Sequence, residues 1–165
     1  ENEKVALESQ VSPIVLCTIK EGNSNLVDTK NIAPGLDKLG VMLPSSALLL
    51  LISEKIKIPL IATSANISGA PIIYKDSDAL KYLFDLADYI ISYDRDVVTP
   101  QDDSVIQFTD QGQRIILRRS RGLAPNILNN PNKNNKESLL STGADMKSAF
   151  ALFHQNLTQQ LGKFL

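Results

Sequence analysis

A short apolar run, residues 59–62, leads directly into a loop of small hydroxyl and amide side chains that ends at Gly69. The run is brief and bounded by chain-breaking residues, which is typical of a buried β-strand. Open α/β sheets place their ligands at the carboxyl ends of strands, in loops of this kind. The pattern therefore favours an α/β fold with a ligand-binding loop. An ordinary turn, in which Asn66 or Ser68 caps a helix, explains the same composition.

Further strands are predicted on both sides of this loop. The segments with a short apolar pattern are residues 13–20, 89–92, 104–108 and 114–119. The last two lie close enough to form an antiparallel hairpin around residues 110–112. Because helices are interleaved with these strands, we expect an α/β architecture with an open, twisted, mixed sheet and flanking helices.

Two helices are predicted between the strands. Ser45 or Ser46 is placed to cap a helix that runs to about Ile56, and apolar residues on all its sides predict deep burial. A second helix begins among residues 76–78. It carries an apolar face that should be buried, formed by Leu80, Leu83, Phe84 and Ala87.

Composition limits the function classes. The 165 residues carry a net charge of −1, which gives no general attraction to nucleic acid. The single cysteine, Cys17, permits no disulfide within the chain, and we expect a buried, inert thiol. The longest apolar run, residues 47–52, is far shorter than the ~20 residues of a membrane span, so we expect a cytoplasmic protein without a membrane partner.

Ordered sequence blocks define a resemblance along residues 13–125. They are PIVL at 13–16, IAPGL at 32–36, LGVMLP at 39–44, TSANISGAPI at 63–72, DR at 94–95, DDSV at 102–105 and LRRSRGLAP at 117–125. Together they resemble the YrdC-like domain of the hydrogenase maturation carbamoyltransferase family, HypF. Residues 142–152 and 157–162 resemble the opening of the next domain of that family, an actin-like ATPase-fold carbamoyl transferase.

The resemblance implies a domain organisation. Residues 1–126 correspond to the C-terminal portion of a YrdC-like nucleotide- and carbamate-binding domain, and residues 138–165 to the start of the transferase domain. Residues 127–137 are rich in Asn and lack apolar periodicity, which predicts a solvated linker. We accordingly expect this chain to be a segment of a longer polypeptide, with the zinc-binding region of the family outside it.

The resemblance also implies a reaction. The full-length protein is expected to form carbamoyl adenylate from ATP and carbamate derived from carbamoyl phosphate, and to pass the carbamoyl group to a HypE-like acceptor in [NiFe]-hydrogenase maturation. ATP with Mg²⁺ is then a substrate. Such a site needs donors that fix the carbamate and cations that offset developing charge.

Site residues follow from the matched motifs, and no catalytic residue is assigned. Those expected to bind nucleotide or substrate are Thr63, Ser64, Asn66, Ser68, Gly69, Ser104, Arg118 and Arg121. Strand alternation places Arg118 on one face and Arg119 with Arg121 on the other, so Arg118 and Arg121 converge on a ligand only if a turn at Ser120 re-aims the latter. Surface arginines on an edge strand are the alternative.

Asp102 and Asp103 are weaker candidates for Mg²⁺ held through the nucleotide, because this hard ion is usually bound by one or two carboxylates and phosphate oxygens. An Asp-rich turn explains these two residues equally well.

The chain departs from the family pattern at histidine positions. Leu49, Leu50, Tyr93 and Gln160 stand where the family has histidine. These losses leave two alternatives to an active transferase: a degenerate scaffold, or a YrdC-like module that binds double-stranded RNA. The few clustered arginines argue against RNA binding, since phosphate contacts require several cations. We expect residues 1–165 alone to be inactive.

Overall fold

The computed structural model describes residues 1–20, 27–125, 138–143, 149–154 and 157–163. The chain divides into two compact units, Glu1–Asn126 and Ile127–Leu165. The predicted linker at 127–137 lies outside the described residues. The division into domains 1–126 and 138–165 therefore stays a prediction.

A four-stranded mixed sheet forms the centre of the first unit. Its spatial order is β2 (Lys38–Val41), β1 (Ile14–Thr18), β3 (Val105–Phe108) and β4 (Arg114–Arg118). β1 pairs parallel with β3 and antiparallel with β2, and β3 pairs antiparallel with β4. The predicted mixed sheet and the hairpin between the last two strands are confirmed.

The core of this unit lies where β1 and β3 pair. Val15 and Ile106 are neighbours in the parallel register, and both are almost completely buried. Helix α1 (Asn2–Leu7) packs against these two strands. Pro13 and Ser104, just before β1 and β3, are buried as well, so the amino ends of both central strands are enclosed.

Three further helices lie between β1 and β3 in the chain: α2 (Thr29–Ile32), α3 (Ala47–Ile56) and α4 (Asp76–Tyr82). The Ser46 hydroxyl accepts a hydrogen bond from the Leu49 amide, so the cap predicted for α3 is confirmed. The helix ends at Ile56, and the next residue, Lys57, has a left-handed backbone.

Several sequence predictions in this region are wrong. α3 has no buried residue, and residues 59–62 and 89–92 are not strands. Leu80 and Phe84, expected on a buried face, are 56% and 68% exposed. α4 also begins without a side-chain cap. These segments have the composition of a core, but no described element packs closely against them.

The second unit contains an antiparallel sheet. Its strands lie in the order β5 (Leu139–Thr142), β6 (Ala149–His154) and β7 (Leu157–Lys163). Part of the tail motif, residues 144–148, lies outside the described residues. Among the helices of the described segments, none has the length and apolar character needed to cross a membrane.

Candidate functional site

The loop after residues 59–62 is closed by one half-buried side chain. The side-chain nitrogen of Asn66, Nδ2, donates to the backbone carbonyl oxygens of Ile67, at 3.1 Å, and Ala70, at 3.2 Å. The Ser64 hydroxyl donates to the Asn66 amide oxygen. Asn66 therefore holds the loop in shape by bonding both forwards and backwards along the chain.

Backbone hydrogen bonds complete the loop. The Ile73 amide donates to the Ala65 carbonyl at 2.7 Å, and the Ala70 amide donates to the Ile67 carbonyl at 2.8 Å. Gly69 has a φ of 76°, a conformation that glycine adopts without a steric cost. Thr63, Ser64, Ser68 and Gly69 are exposed on the outside of this closed loop. Their hydroxyl and amide groups are accessible to a ligand.

A second cluster lies where β3 begins and β4 ends. It contains Asp102, Asp103, Ser104, Arg118 and Arg121. The Arg118 Nε donates to the Asp103 carbonyl oxygen at 2.7 Å. The Arg121 Nε and Nη2 lie 2.8 Å and 2.7 Å from Asp103 Oδ1. Both arginines therefore bond to Asp103, which lies between them.

A turn at Ser120 produces this convergence. β4 ends at Arg118, and the amides of Leu123 and Ala124 both donate to the Ser120 carbonyl, at 3.0 Å and 2.8 Å. Strand alternation therefore does not continue to Arg121. Its side chain turns back towards Asp103.

Ser104 is enclosed within this cluster. It is completely buried; its hydroxyl donates to the Arg121 carbonyl at 2.8 Å and accepts from the Ser120 amide at 2.9 Å. A ligand cannot reach this hydroxyl in the observed fold. The expected phosphate contact by Ser104 is therefore replaced by a structural contact that joins β3 to the turn after β4.

The two aspartates are bonded to Arg121 in different ways. Asp103 Oδ1 is already paired with Arg121, and the Asp102 carbonyl accepts the Arg121 amide at 3.1 Å. Within the described segments, no group of three or more His, Cys, Asp or Glu side chains is arranged to hold a metal. The expected contact of Asp102 and Asp103 with Mg²⁺ stays a prediction.

The family histidine positions differ in their surroundings. Leu49 and Leu50 lie on α3 and are 40% and 49% exposed, and Tyr93 is 65% exposed beside the Arg95 guanidinium. Gln160 lies on β7. Neither leucine can bind a polar ligand through its side chain.

Sequence comparison identifies the family. The Sua5/YciO/YrdC model, described as telomere recombination, matches residues 1–120. The chain belongs to this family.

The chain is also similar to named carbamoyltransferases over almost its whole length. It is 40% identical to carbamoyltransferase HypF of Synechocystis over 94% of the chain, and 35% identical to the probable carbamoyltransferase HypF of Methanocaldococcus jannaschii over 98%. The matched regions make up 20% and 21% of those relatives, so the chain spans about a fifth of their length.

Two crystal structures share the fold. One is full-length HypF in the phosphate- and nucleotide-bound form, with a TM-score of 0.71 and 37% identity over 92% of this chain and 23% of that one. The other is T. kodakarensis HypF, with a TM-score of 0.73 and 33% identity over 94% of this chain and 19% of that one. The resemblance to the YrdC-like region of HypF and the predicted fold class are thereby confirmed.

Proposed function

We propose that this chain is the nucleotide- and carbamate-binding part of an ATP-dependent carbamoyltransferase of the HypF type. The similarity over nearly the whole chain to a HypF structure described as phosphate- and nucleotide-bound carries this proposal. The closed loop with exposed hydroxyl groups at Thr63, Ser64 and Ser68 supports it.

In the proposed reaction, a carbamate oxygen attacks the α-phosphorus of ATP. The bond from that phosphorus to the bridging oxygen of the β-phosphate breaks, and pyrophosphate leaves with the bonding electrons. The products are carbamoyl adenylate and pyrophosphate. Loop hydroxyl and amide donors would orient the carbamate and phosphate oxygens, and the Arg118 guanidinium would offset negative charge. The full-length protein would then transfer the carbamoyl group to a HypE-like acceptor.

Carbamoyl phosphate-dependent exchange of radiolabelled pyrophosphate into ATP tests this proposal in the full-length protein. We expect exchange in the wild type. Removing one charge-assisted hydrogen bond costs about 1.5–3 kcal/mol, so Ser68→Ala, which removes an exposed loop hydroxyl, should lower kcat/KM for ATP by about 10- to 150-fold. The matched control is Ser77→Ala, an exposed serine of α4, and it should leave exchange unchanged.

Absence of exchange in the wild type would refute the proposal and favour a degenerate scaffold, the alternative raised by the leucines at 49 and 50. Binding to duplex RNA that weakens with salt would favour the RNA-binding alternative instead. The engagement of Arg121 with Asp103 reduces the positive charge available for phosphates at the basic cluster, so we do not adopt that alternative.

A further inference from the structure

Every nitrogen of the Arg121 guanidinium faces a protein oxygen. Nε and Nη2 bond to Asp103 Oδ1, Nη2 also donates to the Ser12 carbonyl at 2.9 Å, and Nη1 donates to the Val11 carbonyl at 3.4 Å. The side chain is part-buried. An arginine with all three nitrogens engaged in this way has no edge left for bidentate binding of a phosphate.

The segment before β1 is shaped to receive this side chain. Ser12 has a φ of 42°, in the left-handed region, and its backbone presents a carbonyl to Arg121. Gly122 lies so close that a Cβ at this position would be 2.8 Å from the Val11 carbonyl oxygen. The turn after β4 and the segment before β1 are thus in direct backbone contact around Arg121.

Asp103 connects Arg121 to Arg118. Its carboxylate pairs with Arg121, and its carbonyl oxygen accepts from Arg118 Nε at 2.7 Å. Arg118 lies on the exposed strand β4. With Nε held by Asp103, the two terminal nitrogens form the guanidinium edge suited to an oxyanion with two accepting oxygens.

We propose that Arg121 is a positioning residue that acts through Asp103 to orient Arg118, and that Arg118 is the guanidinium that contacts a phosphate of the nucleotide. This inference rests on the proposed function and refines it. The sequence motif presents the two arginines as equivalent ligand candidates, whereas the geometry gives them different roles.

A double-mutant cycle on the full-length protein tests the inference. The variants are Arg118→Gln, Arg121→Gln and the pair, and Arg114→Gln, at the start of the same exposed strand, is the control. KM for ATP and kcat are measured in the pyrophosphate exchange reaction at a temperature where all variants are folded.

We expect Arg118→Gln to raise KM for ATP by about 10- to 150-fold, the effect of losing a charged hydrogen bond. Arg121→Gln should raise KM by less, and should raise it no further when Arg118 is already replaced. The control should not change KM. If the KM for ATP of the double variant rises by the product of the two single-variant increases, Arg121 contacts the nucleotide itself. A lower melting temperature with unchanged KM would mean that Arg121 serves stability alone. Either result overturns the inference.

Exchange of the Arg118 Nε–H with solvent, followed by NMR, gives a readout that does not depend on ATP. We expect a protected Nε–H in the wild type and loss of that protection in Arg121→Gln. Equal protection in both proteins contradicts the positioning role even if no pyrophosphate exchange occurs. If no pyrophosphate exchange occurs but Arg121→Gln still removes the protection of the Arg118 Nε–H, the proposed function is refuted. The role of Arg121 in orienting Arg118 through Asp103 is then still supported.

Discussion

The chemistry of Cys17 is set by its surroundings on β1. Burial raises the pKa of this thiol, and the negative charge of Glu3 raises it further. The residue is half-buried rather than buried as expected, and it lines an open, mostly apolar pocket of about 290 Å³ with Leu39 and Val41. Because the thiolate is the nucleophile, a raised pKa makes the folded protein less reactive towards alkylating reagents than its unfolded chain.

We predict that iodoacetamide modifies Cys17 more slowly in the folded protein than in urea near pH 8, and that the folded-state rate rises with pH to a higher midpoint. The folded state holds the thiol proton more tightly, so the associated stabilisation is complete below the unfolded pKa, about 8.5, and is lost as pH rises through the folded value. The chain has one cysteine, so mass spectrometry reads this site alone. Identical rate profiles for folded and unfolded protein would contradict the prediction.

For individual site residues, the family motifs identified which positions to inspect, but they did not predict which side chains bond within the protein. The loop residues Thr63 and Ser64 are exposed as a binding role requires, and their ligand contacts remain a prediction. Ser104 and Arg121 belong to the same family motifs but bond within the protein. The contacts of Ser104 depend on the turn at Ser120. Those of Arg121 also depend on the carbonyls of Val11 and Ser12, more than 100 residues away in sequence. A local motif contains no information about such distant partners.

Among the elements, the contact between the end of β4 and the segment before β1 gives a direct test of packing. Gly122 has a φ of 81° and no room for a Cβ, while Gly35 has a φ of 72° with open space around it. Alanine at Gly35 should cost about 1–2 kcal/mol of unfolding free energy from backbone strain alone. Alanine at Gly122 should cost about 1–3 kcal/mol more, because it also collides with backbone atoms of Val11.

Chemical denaturation of the two glycine variants measures this difference. The comparison isolates steric crowding, since both sites share the left-handed backbone. Equal destabilisation of the two variants would mean that the close approach of Gly122 to Val11 does not persist in solution.

The correctly predicted elements are of two kinds. Some depend on a signal within a few residues of sequence, and the others are strands that pair with another described strand. The Ser46 cap acts within one helical turn, and β1, β3 and β4 find pairing partners in one another. Residues 59–62 and 89–92 have strand composition but no pairing partner among the described residues, and they form no strand. Strand formation depends on neighbouring strands far more than on intrinsic preference, so composition alone overestimated it.

In the first unit, the distribution of apolar side chains is uneven. The core contains Val15, Ala33 and Ile106, while many large apolar side chains between β2 and β3 are exposed. Leu48 and Leu51, three residues apart on α3, are 51% and 64% exposed, and Ile61 and Ile91 are both 72% exposed. Exposed apolar patches of this kind are typical of surfaces that contact another apolar surface.

We predict that the 165-residue chain self-associates as its concentration rises and binds a hydrophobic dye. Association removes apolar area from water at about 25 cal/mol per Å², and α3 offers a face that no described element covers. The double variant Leu48→Gln/Leu51→Gln should lower both dye fluorescence and mean mass, because the residues lie on one face of the helix. Ser53→Gln, on the opposite side of the same helix, should change neither. Size-exclusion chromatography with light scattering gives the mass. A monomer at every concentration, or equal masses for both variants, would contradict the prediction that the chain associates through α3.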